Sequence, residues 1–174
     1  MRTALCIGSA HCLWEDLYSL EASGLKTDGT IACNAAGYEY GGDLDAWVSL
    51  HGNKFNTWLI RRRDRGYRKA REIVAHRKWV GVTQIIDYRF PGQVNSASSG
   101  GYAAKVALMD LGFDRAILCG IPLTPTPHLA DSKPWKECTN FHRAWTEIPP
   151  EYTGRIRSAS GWTRDFLGGI EDWA

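Results

Sequence analysis

Ser98-Ser99-Gly100-Gly101 stands directly before an apolar run of helical spacing, and no other stretch is better placed to bind a charged ligand. The serines occupy the position of a helix N-cap, and the glycines let a ligand approach the backbone. The first N–H groups of a helix have no intrahelical acceptor, so a phosphate or carboxylate suits them; the same serines also serve as ordinary caps. Three other short segments are candidates for the same site. Gly8-Ser9 leaves the apolar run Thr3–Ile7, Asn34 follows Gly29–Cys33, and Gly120 follows Ala116–Cys119. Asn34 at such a strand end reads either as a ligand contact or as an Asx turn. His51 comes immediately after Asp45–Leu50, where an imidazole works as an acid–base group or as a structural residue. Asp43 and Asp45 form a D-x-D pair, but they precede their strand and so stand at the wrong end for a metal in the same pocket.

The elements that must position these residues alternate. Thr3–Ile7 reads as a first strand, Gly8–His11 as a turn and Cys12–Ser23 as a helix with Leu13, Leu17 and Leu20 on one face. This strand, glycine turn and helix begin a Rossmann-like unit, without the full G-x-G-x-x-G pattern of a dinucleotide site. Gly29–Cys33 and Asp45–Leu50 read as the next two strands. The spacing then predicts a long amphipathic helix from Asn56 to about His76, with Leu59, Ala70, Ile73 and Val74 as its buried stripe, interrupted at Gly66, a position where it either continues or breaks. Trp79–Ile86 reads as a fourth strand. Tyr102, Val106, Met109 and Leu111 give the helix after Ser98 its apolar face, small Ala103, Ala104 and Ala107 let it pack closely, and Gly112 ends it. Ala116–Cys119 is apolar throughout, as in a strand covered on both faces. Pro122–Pro134 is a long loop suited to a lid. Lys136–Glu147 reads as helical, Arg155–Ser160 as a last strand and Gly161–Leu167 as a closing helical turn. The fold class expected is α/β: a single Rossmann-like domain over 1–174, mainly parallel, with helices on both faces of the sheet.

Composition sets the boundaries. A hydrophobic content of 44% with 23% charged residues is that of a soluble globular protein with a real core. No run is long enough for a membrane span. The apolar N-terminus runs directly into Gly8, which makes it a first strand and not a signal peptide. Five cysteines, an odd number, show neither a disulfide framework nor zinc spacing, and three of them fall in buried strands, which implies a reducing, cytoplasmic setting. Eight tryptophans are many for this length; core packing accounts for most, and the rest line a ligand or partner surface. The net charge of +2 conceals an asymmetry. Residues 54–78 hold ten Lys/Arg against Asp64 and Glu72, a net +8. Arg61, Arg65 and Arg68 recur at i, i+4 and i+7, which on one helix gives a solvated face or a surface for an anionic acceptor or a nucleic acid.

Three pieces together resemble a known superfamily. Cys6-Ile7-Gly8-Ser9-Ala10-His11-Cys12-Leu13 is similar to the G-N-G-P-S-L turn of the bacterial sialyltransferases. That turn also occurs in motility-associated glycosyltransferase-like proteins and archaeal pterin pyrophosphokinases. Cys33-Asn34 resembles the C/R-N step after their second strand. Ser98-Ser99-Gly100-Gly101-Tyr102, Leu111-Gly112-Phe113 and Leu118-Cys119-Gly120-Ile121 resemble their (T/S)-S-G…L-G-(Y/F)…L-x-G-I-D run. Order and spacing agree over residues 3–124. The resemblance implies a glycosyltransferase-like enzyme that takes a sugar, of the nonulosonic class, from a nucleotide-activated donor of CMP type and passes it to a glycan or other hydroxyl acceptor. It implies a co-substrate and no tightly bound cofactor. It places Gly8 and Ser9 by the nucleotide, Asn34 by the phosphate or sugar, and Ser98, Ser99 and Gly100 by the nucleotide or donor carboxylate, with Gly120 at the same edge. The family's histidine base comes from the segment after G-I-D, where His142 stands first and His128 second; His51 is the other candidate base. The first loop reads G-S-A-H and Pro122 replaces the aspartate of G-I-D, which turns the expectation away from metal-dependent pyrophosphoryl transfer. The alternative expectation is a nucleotide- or nucleic-acid-binding protein without transfer chemistry, acting through a basic helix over 54–78.

Overall fold

Seven short strands, all parallel, form one sheet in the order β5-β4-β3-β2-β1-β6-β7 in a computed structural model that describes residues 1–174. They are β1 (Thr3–Ile7), β2 (Gly29–Cys33), β3 (Ala46–Ser49), β4 (Glu72–Ala75), β5 (Gln84–Ile85), β6 (Arg115–Cys119) and β7 (Ile156–Ser158). The chain builds outward from β1 to β5, then returns across the sheet to lay β6 on the other side of β1. The strand order therefore reverses between β1 and β6, and that is where an open α/β sheet forms a crevice beyond its carboxyl ends. The helices are α1 (Leu13–Ser23), α2 (Ala36–Glu39), α3 (Phe55–Asp64), α4 (Ser98–Lys105), α5 (His142–Thr146), α6 (Pro150–Thr153) and α7 (Gly161–Leu167).

Strand alternation divides the core in two. Ala4, Cys6, Ile31, Cys33, Val48 and Leu118 face one cluster, while Leu5, Ile7, Ala32, Trp47, Ile117 and Cys119 face the other. The first cluster lies under the returning helix α4, all eight of whose residues are buried. Ala103, Ala104 and Ala107 hold no long side chain, so the helix settles against β1, β2 and β3, as their size predicts. The helix continues into one wider π-type turn over Val106–Asp110, which turns Met109 out to solvent and away from the apolar face expected of it. α1 and α3 cover the opposite face. All five cysteines are free. No helix is long and apolar enough to cross a membrane.

The region after β3 corrects the expectation of one helix from 56 to 76. α3 stops at Asp64, and Gly66 at φ +74° turns the chain in the left-handed region. Ile73 and Val74, read as part of a helical stripe, are the buried centre of β4. A three-residue apolar run, Ile73-Val74-Ala75, fits either element, and burial on both faces of a parallel sheet decides for the strand here. The strand expected over Trp79–Ile86 shrinks to Gln84–Ile85 at the sheet's edge, with Trp79 to Val82 forming a turn. The basic helix over 54–78 therefore does not exist as one element. Arg61 lies in α3, Arg65 caps it and Arg68 lies beyond it, so the three share no helical face.

Candidate functional site

At the reversal point two glycine turns lock together. Gly8 N–H donates to the Cys119 carbonyl at 2.8 Å, and Ala10 N–H to the Gly120 carbonyl at 3.2 Å. Gly120 sits at φ +68°, and a Cβ on either glycine would run into the backbone of the other. Only glycine meets both demands. Asp16, one turn into α1, holds this junction from behind. Its carboxylate accepts from Gly120 N–H at 2.7 Å and from the Ser160 hydroxyl at 2.8 Å. Burial raises its pKa above the ordinary carboxylate value, and the Gly120 N–H partly offsets that rise. Asp16 escaped the sequence reading, although an acid within the Leu13, Leu17, Leu20 stripe of α1 is the signal that marks it.

A cleft of about 370 Å³ opens above the junction. Gly8 and Ser9 line it from β1, Asn34 from β2, His51 from β3 and Gly120 from β6, and Ser98, Ser99 and Gly100 line it from the start of α4. The structure thus brings together eight of the residues singled out from sequence. Tyr38, Trp58, Trp135 and Phe141 supply aromatic walls. The proline-rich loop forms part of the enclosure. It is pinned to the first turn by His11 N–H to the Pro127 carbonyl at 2.8 Å and Leu129 N–H to the Ser9 carbonyl at 2.9 Å. These bonds bring His128 to the cleft.

The polar groups of the cleft are arranged but incompletely used. The Ser49 hydroxyl accepts from His51 N–H at 2.9 Å, so its proton goes to Asn34 Oδ1 at 2.7 Å. That leaves both amide protons of Asn34 Nδ2 without a protein acceptor. Trp47 Nε1 donates to the Asn34 carbonyl at 2.7 Å and fixes the backbone there. Leu50 N–H donates to Ser99 Oγ at 3.3 Å, tying the end of β3 to the start of α4. The N-cap position is occupied by Ala97, and Ser98 Oγ accepts from Gly100 N–H instead of capping from outside the helix. The N–H groups of Ser98 and Ser99 have no acceptor in the protein.

Backbone strain marks the same place. Only Asn34 (φ +51°), Ser98 (φ +67°) and Leu123 (φ +45°) among the non-glycine residues adopt positive φ, and all three line the cleft. Each such conformation costs on the order of 1–3 kcal/mol and persists only where its surroundings impose it.

Two histidines line the cleft, and neither ring makes a hydrogen bond within the protein. Burial lowers the pKa of His51, with the Lys54 ammonium and His76 adding to the effect. Burial also lowers that of His128; Asp131 opposes the shift and Lys54 reinforces it. Both are therefore held toward the neutral form. His142, the first candidate base by sequence, is absent from the cleft lining. Its Nε2 lies 2.7 Å from the Leu123 carbonyl, and its ring stacks on Trp162 at 3.9 Å and 4°. A ring nitrogen bonded to a carbonyl must carry the proton, which directs His142 to holding the strained Leu123. No Asp, Glu or Arg lines the cleft, and Lys54, counted by sequence only as one cation of the basic segment, is its one ammonium.

Arg61, Arg65 and Arg68 lie elsewhere and are engaged by protein groups. Arg61 donates to the Tyr38 hydroxyl at 3.1 Å, Arg65 pairs with Glu39 at 2.6 Å and Arg68 with Asp43 at 3.1 Å. The structure does not join them into a polyanion surface.

No family model matches the chain, and no curated protein matches it. Among solved structures, the crystal structure of the sialyltransferase CST-II in complex with trisaccharide acceptor and CMP is similar in fold. The TM-score is 0.58 at 14% identity, covering 95% of this chain and 85% of that one.

Proposed function

We propose that this chain is a glycosyltransferase-like enzyme that transfers a sugar of the nonulosonic class from a CMP-type donor to a hydroxyl of a glycan or related acceptor. The observation that carries this reading is the coincidence of all three strained non-glycine residues with unused donors, the Ser98 and Ser99 N–H groups and Asn34 Nδ2, in one cleft at the reversal point of a parallel sheet. Donors without acceptors suit an anionic ligand, and the aromatic walls suit a base and a sugar ring. The similar fold of a sialyltransferase whose structure contains CMP and a trisaccharide acceptor supports the donor class.

In this reading His128 is the base. Its ring is free, lines the cleft and is held toward neutrality, as a group that takes a hydroxyl proton must be. The acceptor oxygen bonds to the anomeric carbon as its proton passes to His128. The bond from that carbon to the phosphate oxygen breaks, and its electron pair leaves with the nucleotide. Asn34 and the start of α4 orient the donor, and His51 flanks it from the end of β3.

The test is a thermal-shift screen with CMP, UDP, GDP, ATP and a DNA duplex, with and without magnesium, followed by CMP release from a CMP-activated nonulosonic acid. A ligand that binds only the native state raises the melting temperature by mass action. CMP is expected to raise it, and His128→Ala to keep that shift while losing about a hundredfold or more in CMP release. No shift with any nucleotide, or full turnover in His128→Ala, overturns the reading or the base assignment respectively.

A further inference from the structure

We infer that Lys54 is the phosphate-charge partner of the cleft: its ammonium binds the donor phosphate and stabilises the second negative charge that develops as the nucleotide leaves. The inference rests on the donor class proposed above and adds a residue and a role to it.

Four observations carry it. Among the side chains lining the cleft, Lys54 alone carries an ammonium or guanidinium group, and no carboxylate lines the cleft to neutralise it. The ammonium makes no ion pair and no hydrogen bond in the protein; its one aromatic neighbour is Trp58, 6.0 Å from ring centroid to Nζ. The arginines from Arg61 to Arg71 are committed to carbonyls, a tyrosine or carboxylates, whereas Lys54 lines the cleft with its ammonium uncommitted. Its backbone is held: Lys54 N–H donates to the His51 carbonyl at 2.9 Å in the turn that leaves β3, and Leu50 N–H to Ser99 Oγ ties the start of that turn to the start of α4. The Lys54 side chain and the unpaired N–H groups of Ser98 and Ser99 line the same cleft. Its field reaches both cleft histidines, consistent with that geometry.

The chemistry follows from charge. A sugar joined to a nucleoside monophosphate has one negative charge on a phosphodiester. When the carbon–oxygen bond breaks, the electron pair moves to phosphate and the product is a monoester that tends toward two charges. A single ammonium in a cleft that also offers two unpaired backbone N–H groups meets the first charge on binding and gains interaction as the second appears, which is stabilisation that grows toward the transition state. Partial neutralisation of Lys54 by the phosphate also relieves its effect on His51, which faces Lys54 and His76, and on His128, which faces Lys54 and Asp131. Donor binding thereby makes His128 a stronger base.

Titration calorimetry with CMP, cytidine and inorganic phosphate on wild type, Lys54→Gln and Lys54→Arg tests this. The expected result is CMP affinity weakened about tenfold to a hundredfold in Lys54→Gln, cytidine affinity unchanged, and Lys54→Arg near wild type. In the same variant the His51 and His128 ring signals should titrate at higher pH by NMR, which checks that the ammonium lies near both rings. Equal CMP affinity in wild type and Lys54→Gln, or parallel loss of CMP and cytidine, overturns the role of Lys54 while leaving the donor reading in place. Lys54-dependent binding of phosphate with no binding of CMP or cytidine keeps the role and overturns the donor reading. No binding of either CMP or phosphate overturns both.

Discussion

The cleft and the arginine-rich segment from Arg61 to Arg71 hold opposite kinds of polarity. The segment is crowded with charge, and every guanidinium in it has an answer. Arg63 pairs with Asp64, Arg65 with Glu39, Arg68 with Asp43 and Arg71 with Asp45, while Arg61 rests on Tyr38. The cleft has one ammonium and no carboxylate, yet its donors lack acceptors and its backbone is strained. Charge density is therefore a poor guide to where this molecule meets a ligand. Hydrogen-bonding capacity left unused beside an imposed conformation is the better one, because folding alone gives no reason to keep it.

The largest effect that tests this contrast belongs to Arg62. Its guanidinium is almost fully buried and donates to the carbonyls of Arg68 at 2.5 Å, Gly37 at 2.7 Å, Tyr40 at 2.8 Å and Gly42 at 2.8 Å. It is the clasp that closes the segment onto α2 and the loop after it. Removing it leaves several carbonyls without donors, so Arg62→Ala is expected to cost about 3–5 kcal/mol in urea unfolding. Neutralising exposed Arg68 by Arg68→Gln should cost no more than about 0.5 kcal/mol, the usual range for a surface ion pair. An Arg62→Ala protein as stable as wild type would remove the structural account of the segment and reopen it as a binding surface.

Sequence made the cleft legible and the segment illegible for the same physical reason. Gly8, Asn34 and Gly120 are read from strand ends and Ser98 from a helix start, and a parallel sheet brings strand ends of one polarity and the starts of its helices to one edge, so short-range signals add up. The arginines are read from helical spacing; Gly66 marks the point where the chain does turn, but spacing cannot show that Ile73 and Val74 are needed by the sheet. Lys54 is hidden by its company, since the run that contains it includes six arginines that serve carbonyls, a tyrosine or carboxylates. His142 illustrates the limit from the other side. It follows β6 in chain order, but proximity in sequence across a long loop does not fix where a side chain ends. The pairing of Ala10 with His128 decides that, and nothing local to His128 announces it.

The next effect in size sharpens the cleft's side of the comparison. At φ +51°, Asn34 holds a conformation that glycine adopts freely, so Asn34→Gly deletes the amide without adding strain. The lost bond to the Ser49 hydroxyl should cost about 1 kcal/mol of stability. CMP affinity is expected to fall about tenfold, read by calorimetry, since two donors disappear from the site. If stability falls while CMP affinity is unchanged, Asn34 is a turn residue and the amide has no ligand to serve. Asn34→Ala makes the control: the same donors are lost, but the positive φ now adds a backbone penalty of about 1–2 kcal/mol.

The smallest effect separates the two regions by pH. His51, His76 and His128 have native pKa values below the ordinary imidazole value, chiefly because burial disfavours the cation. The unfolded chain therefore binds more protons than the native one once pH falls below about 6.5, and stability declines from there until the native rings also protonate. Asp16 acts in the opposite sense, because its raised native pKa makes the folded state take up a proton first as pH falls toward 3.8. Asp87, held at about 2 by Arg89, along with Glu147 and Glu171, has a lowered native pKa and gives up stability only in the acid range. Just below pH 6.5 the histidines, two of which line the cleft, lower stability as pH falls, and Asp16 opposes them as it takes up its proton. The double variant His51→Gln/His128→Gln should flatten the stability slope there, leaving the share of His76. Each ring contributes only a fraction of the about 1.4 kcal/mol that one full pK unit represents, since both are partly open to water. Arg65→Gln, which breaks the pair with Glu39, should leave the slope in that interval unchanged. Denaturant midpoints measured at half-unit steps of pH check both statements. A slope that survives the histidine variant but vanishes with Arg65→Gln would reverse the assignment of titratable chemistry to the cleft and of structural charge to the segment.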